Sequence, residues 1–127
     1  MFKALLQRLL EPAPSDRAWA AAVALFVIAN LFYHGAQPYA VDAVPAPWDK
    51  LAHLLLFLLL GTLIDVAFAG RRRWAVLLVC ALVAGTDELA QLLNPGREVD
   101  VLDWLADVTG AAVAAATLAW LRQSARL

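Results

Sequence analysis

The sequence is short of charge and nearly free of cysteine. Charged residues make up 17% of the 127 positions and apolar residues 63%, whereas a soluble domain has roughly a quarter charged and half apolar. Too few ionisable groups are present to clothe a water-facing surface, so an ordinary soluble domain is excluded and a membrane is required. The single cysteine, Cys80, lies within an apolar run, which excludes a disulfide framework and a cysteine zinc site. Its expected role is filler, in the core or against lipid. Also absent are any repeat with a period of roughly 20 to 50 residues, a low-complexity linker, and the apolar–polar alternation of a barrel strand. No cofactor motif or metal-ligand spacing occurs, so no cofactor and no metal are expected, and no nucleic-acid partner. The length suits one domain rather than two.

What the chain does contain is apolar runs. Four segments, Ala18–Ala36, Asp49–Ala69, Trp74–Leu93 and Trp104–Leu121, each approach the ~20 residues that cross a bilayer as a helix. Helices are required because backbone groups in lipid must be satisfied within their own segment. The first run is long for a signal-peptide core, and no small-x-small cleavage site follows it, so an uncleaved helix is expected. Ahead of it, Met1, Phe2, Leu5, Leu6, Leu9 and Leu10 form one stripe of a short helix suited to the membrane surface, ended by Pro12 and Pro14.

The fold class expected is therefore all-α: a four-transmembrane-helix bundle (residues 18–127) preceded by an interfacial amphipathic helix and linker (residues 1–17). Its last helix carries small residues spaced by four, Gly110 with Ala114, Ala111 with Ala115 and Ala112 with Ala116, which let helix backbones approach closely. Basic residues set the orientation. Lys3, Arg8, Arg17, Arg71–Arg73, Arg122 and Arg126 gather on one side, leaving Lys50 and Arg97 on the other. Eight bases and three acids give +5 on the first side; two bases and eight acids give −6 on the second. Both termini are expected to be cytoplasmic. Trp19, Trp48, Trp74, Trp104 and Trp120 fall near the expected interfaces.

Polar residues collect at the outer end. Asp49 and His53 share a helix face, with Lys50 off that face and free to snorkel to the headgroups. Thr86–Arg97, "TDELAQLLNPGR", places Asp87, Glu88 and Gln91 on one patch before an Asn94-Pro95-Gly96 stop. Arg97 and Asp100 follow in the loop, then Asp103 and Asp107 on the last helix. Charged groups at bilayer depth are costly unless paired or wet, so these should face the bundle interior or an outward watery cleft. The candidate cluster is Asp49, Lys50, His53, Glu88, Gln91, Arg97, Asp103 and Asp107. A purely structural reading stands beside it: Asp49 and Asp103 as N-caps, and His53, Glu88 and Arg97 as a buried network that fixes geometry. Asp65 and Asn30 stand isolated and are read as structural.

"DKLAHLLLFLLLG" followed by "DELAQLLNPGREVDVLDWLADVTGA" resembles the VanZ-like family of small bacterial membrane proteins, over Trp48 to about Leu121. The matching positions are Asp49, Lys50, His53, Phe57, Gly61, Glu88, Gln91, Gly96, Arg97, Asp103 and Gly110; the family commonly has Asn where this chain has Asp107. The resemblance implies a multi-pass protein of the bacterial cytoplasmic membrane. Its founding member is associated with resistance to the glycopeptide teicoplanin. The leading expectation is an envelope protein whose outward cleft engages a lipid-linked or cell-wall component, with Arg97 as anion anchor and His53 and Glu88 orienting the ligand. The alternative is a membrane-embedded hydrolase or transferase acting on a lipid head group, with Glu88 and His53 as acid and base. A transporter is disfavoured, because the cytoplasmic half lacks matching polar groups apart from Asp65.

Overall fold

A computed structural model describes residues 1–125; Arg126, counted above among the cytoplasmic bases, lies outside the described residues. The described chain forms α1 (Phe2–Leu10), α2 (Pro14–Gly35), α3 (Trp48–Ala67), α4 (Arg73–Gln91) and α5 (Val101–Ala125). No strand occurs among the described residues. The last four helices are each long and apolar enough to cross a membrane.

Capping chemistry explains where the helices depart from the apolar runs. α2 begins at Pro14 rather than Ala18, since proline fits the first helical position. Asp16 then accepts the Ala13 N–H at 3.1 Å, satisfying one donor at the helix entrance. α5 begins at Val101 rather than Trp104 because Asp100 Oδ1 accepts the Leu102 N–H at 2.8 Å. Asp100, not Asp103, therefore caps α5. Asp49 is no cap either: it lies inside the first turn of α3, whose N-cap is Pro47. At its other end α3 closes in a Schellman motif, with Gly70 N–H on Asp65 O and Ala69 N–H on Val66 O. Ala69 and Gly70 both take positive φ there.

Small residues decide which helices pack most closely. A Cβ on Gly61 would stand 2.9 Å from Ala111 Cα, and one on Gly110 would overlap the Leu54 carbonyl. α3 and α5 are thus backbone-to-backbone partners, the most intimate pair in the bundle. Gly110, Ala111, Ala114 and Ala115 are buried as the spacing predicts, whereas Ala116 is exposed and Ala112 only half-buried, so that pair does not join the seam. Phe57, Leu60, Val76, Cys80 and Ala84 fill the centre. Cys80 is core rather than lipid-facing. Leu25, Leu55, Leu59 and Leu82 turn outward, as side chains bathed in lipid do. Trp19, Trp48, Trp74 and Trp120 are likewise exposed. Trp104 differs, because its indole N–H reaches inward to Ala81 O at 3.1 Å.

α1 and the far end of α5 meet at one end of the bundle, here the terminal end. Arg122 Nε and Nη2 donate to Leu10 O and Leu9 O at 3.0 and 3.1 Å, capping the last carbonyls of α1. Beneath it, Arg122 Nη2 lies 2.6 Å from Asp65 Oδ2, with Asp65 fully buried. Asp65 is therefore not isolated but half of a buried ion pair. Asn30 is local, donating to Phe26 O one turn back. The opposite end, where the α2–α3 and α4–α5 connections lie, is the loop end.

Candidate functional site at the loop end

The first turn of α3 sets the arrangement. Lys50 does not snorkel away; its Nζ sits 3.0 Å from Asp49 Oδ2, 2.5 Å from Asp100 Oδ2 and 2.5 Å from Asp103 Oδ1. One ammonium with three donors thus answers three carboxylates, from α3, the α4–α5 connection and α5. Among the described residues no group of three or more His, Cys, Asp or Glu is arranged to hold a metal. Lys50 also holds the Asp100 carboxyl below the usual carboxylate range.

One turn further along α3, His53 Nδ1 pairs with Asp107 Oδ1 at 2.9 Å, and His53 Nε2 lies 3.8 Å from Asp103 Oδ2. Asp107 is fully buried, and its Oδ2 has no hydrogen-bond partner among the described residues. The side chain therefore fixes the imidazole from behind, a task an Asn oxygen at the same place would also perform. On α4, Glu88 is a latch: Oε2 accepts the Asp100 N–H at 2.9 Å and Oε1 faces the Gln91 amide at 3.4 Å. Gln91 also reaches Asp87 Oδ2 at 3.3 Å. Arg97 folds back to the end of α2, where Nη1 donates to Gly35 O at 3.2 Å, beside Asn94 on the same carbonyl. No hydrogen bond or ion pair joins any two of His53, Glu88 and Arg97. They are three separate nodes, not one network.

His53 and Arg97 border a cavity of about 900 Å³ between α2, α3, α4, the first turn of α5 and the two connections. Five of the eight sequence candidates line it: Asp49, His53, Gln91, Arg97 and Asp103. Lys50, Glu88 and Asp107 do not line it. The wall also includes Asp42, Asp87, Glu98 and Asp100, acids of the outer half that the candidate cluster leaves out, together with His34 and Tyr39, for which the sequence gives no site reading. His34 bonds the Tyr39 hydroxyl, closing the α2 side. The opposite wall is apolar, made by Phe26, Val27, Leu31 and Leu56. Six carboxylates face one arginine and two histidines across the polar part, so the wall favours hydrogen-bond donors and cations over bare anions.

Neither the curated proteins nor the solved structures compared with this chain gave a match. The family described as VanZ/LLP1 matches over residues 10–122, reaching well ahead of Trp48 and taking in α2 as well as both polar stretches. With most of its length matched, this four-span helical chain belongs to the VanZ/LLP1 family.

Proposed function

We propose that this protein serves the bacterial envelope by holding the headgroup of a lipid-linked or cell-wall component in its loop-end cavity. The observation that carries this is the two-sided wall: carboxylates, Gln91 and Arg97 at the head, and Phe26, Val27, Leu31 and Leu56 beside it. An amphiphile entering from the bilayer meets both halves at once. Hydroxyl and ammonium donors of the headgroup suit the acidic part, and Arg97 is placed for a single anionic group. The charge bias supports an outward loop end, with the termini in the cytoplasm of the inner-membrane protein. If the component is a cell-wall precursor, glycopeptide (teicoplanin) resistance is the physiological output to examine. In a strain lacking the gene, His53→Ala and Arg97→Ala proteins inserted at normal levels should fail to restore the envelope phenotype. Full restoration by both would refute the proposal.

A second reading, acid–base chemistry on a bound head group, has one observation behind it: His53 is held by a buried carboxylate, as catalytic histidines are. Glu88 is unsuited to share that task, since the Asp100 N–H and Gln91 already engage its oxygens. Asp107→Asn separates orientation from charge. Turnover of a lipid head group that collapses in Asp107→Asn, with binding intact, would favour catalysis; no turnover by the unaltered protein would remove it.

A further inference from the structure

The terminal end carries a second cavity, of about 550 Å³, that the loop-end reading does not use. Leu10, Glu11, Gly70, Arg71, Arg73 and Arg122 are among its walls. Three of these are arginines of different standing. Arg71 and Arg73 are exposed at the mouth. Arg122 is only 9% exposed and fully engaged on two of its nitrogens, yet Nη1 is buried with no hydrogen-bond partner among the described residues. That nitrogen lies against Gly70, where any Cβ would overlap the guanidinium; φ of +66° at Gly70 also suits glycine alone. The same wall holds the start of α4, a 19-residue helix whose N-cap, Arg72, offers no side-chain acceptor to the first N–H groups. Those donors carry the positive end of the helix dipole. Buried Asp65 offsets the Arg122 charge, and Glu11 is the one acid on the wall. Two mouth arginines and a helix N-terminus remain in excess.

We propose that this cavity is a phosphate site, built from Arg71, Arg73, the spare N–H of Arg122 and the N-terminus of α4. The phosphate belongs to a phospholipid headgroup or is free in solution, and the recognition chemistry is shared. Arginine suits it because its planar fork meets two phosphate oxygens together. Arg72 provides an internal control. It has the same charge and exposure in the same connection but does not line the cavity. A diffuse basic patch would use all three arginines alike; a built site uses two.

The test employs the full-length protein purified in neutral detergent. Binding of dioleoyl phosphatidylglycerol is measured against dioleoyl phosphatidylcholine by native mass spectrometry. Inorganic phosphate is tested separately for protecting Arg71 and Arg73 from phenylglyoxal. Arg71→Gln and Arg73→Gln should each weaken phosphatidylglycerol binding roughly tenfold, as expected for loss of a charge-assisted hydrogen bond. Arg72→Gln should stay within about twofold of the unaltered protein. If the lipid shows no preference but phosphate protects Arg71 and Arg73 and not Arg72, the site stands and its ligand is free phosphate. Equal losses in all three variants, or neither lipid preference nor protection, would overturn the proposal.

Discussion

Asp65→Asn isolates the energetics of the terminal end. The substitution keeps the shape of a fully buried side chain and removes its charge, leaving the Arg122 cation, among the described residues, with the Leu9 and Leu10 carbonyls and a neutral amide oxygen in place of the carboxylate. Breaking one partner of a buried pair costs about 3–5 kcal/mol, because the remaining charge stays in a poor solvent. The Asp65–Arg122 separation of 2.6 Å and the near-complete burial of both partners place this pair in that regime. Replacing both partners, as Asp65→Leu with Arg122→Met, removes the uncompensated charge and should recover most of the loss. What it cannot recover is the α1 cap, so a residue of about 1–2 kcal/mol should persist as loss of the two Arg122 hydrogen bonds. The assay is unfolding in mixed detergent micelles followed by circular dichroism, with trypsin cleavage near Leu10 reporting release of α1. A cost below about 1 kcal/mol for Asp65→Asn, the level of an exposed pair, would refute this account. So would a double variant no better than the single.

Two further outcomes follow from the same geometry. Gly110→Ala should destabilise the bundle more than Gly61→Ala, because its methyl meets the α3 backbone at Leu54 and Leu58 while Gly61 faces Ala111 and the Ala114 methyl; overpacking of this kind costs about 1–3 kcal/mol and is read from thermal unfolding. The folded-state pKa of Asp100 is depressed by Lys50, so its contribution to stability is complete above the unfolded carboxylate value of about 3.9 and is lost as pH falls through the lower folded value. Subtracting the acid-unfolding curve of Asp100→Asn from that of the unaltered protein should expose this difference only on the acid side; a difference that instead opens between pH ~6 and ~8 would contradict the Lys50–Asp100 pairing.

Periodicity made the spans and the polar end legible, because 3.6-residue spacing states which residues share a face. It does not state which side chain on another helix will be met. The snorkelling expectation for Lys50 fails for that reason: its own helix suggests an outward stem, while Asp100 and Asp103 lie far along the chain. Asp100 was visible as a loop acid, but its role as the cap of α5 depended on where the helix starts, which apolar content alone places too late. The Asp65–Arg122 pair was closer to legible. Gly61 and Asp65 are four apart, and Gly110, Ala114, Leu118 and Arg122 continue at the same spacing, so both charges extend the small-residue faces that bring α3 and α5 together. The α2 side of the cavity was hidden by composition, since a helix read only as apolar gave no reason to look for His34.

The central claim, that the loop-end cavity holds a lipid-linked headgroup, is tested most directly by binding. A polyprenyl-linked cell-wall precursor would be titrated against the protein in nanodiscs, with Arg97→Ala, Gln91→Ala and, on the lipid-facing surface, Leu82→Ala. The account predicts saturable binding weakened roughly tenfold by each cavity substitution and unchanged by Leu82→Ala. Binding that is absent, or indifferent to Arg97 and Gln91, would contradict it.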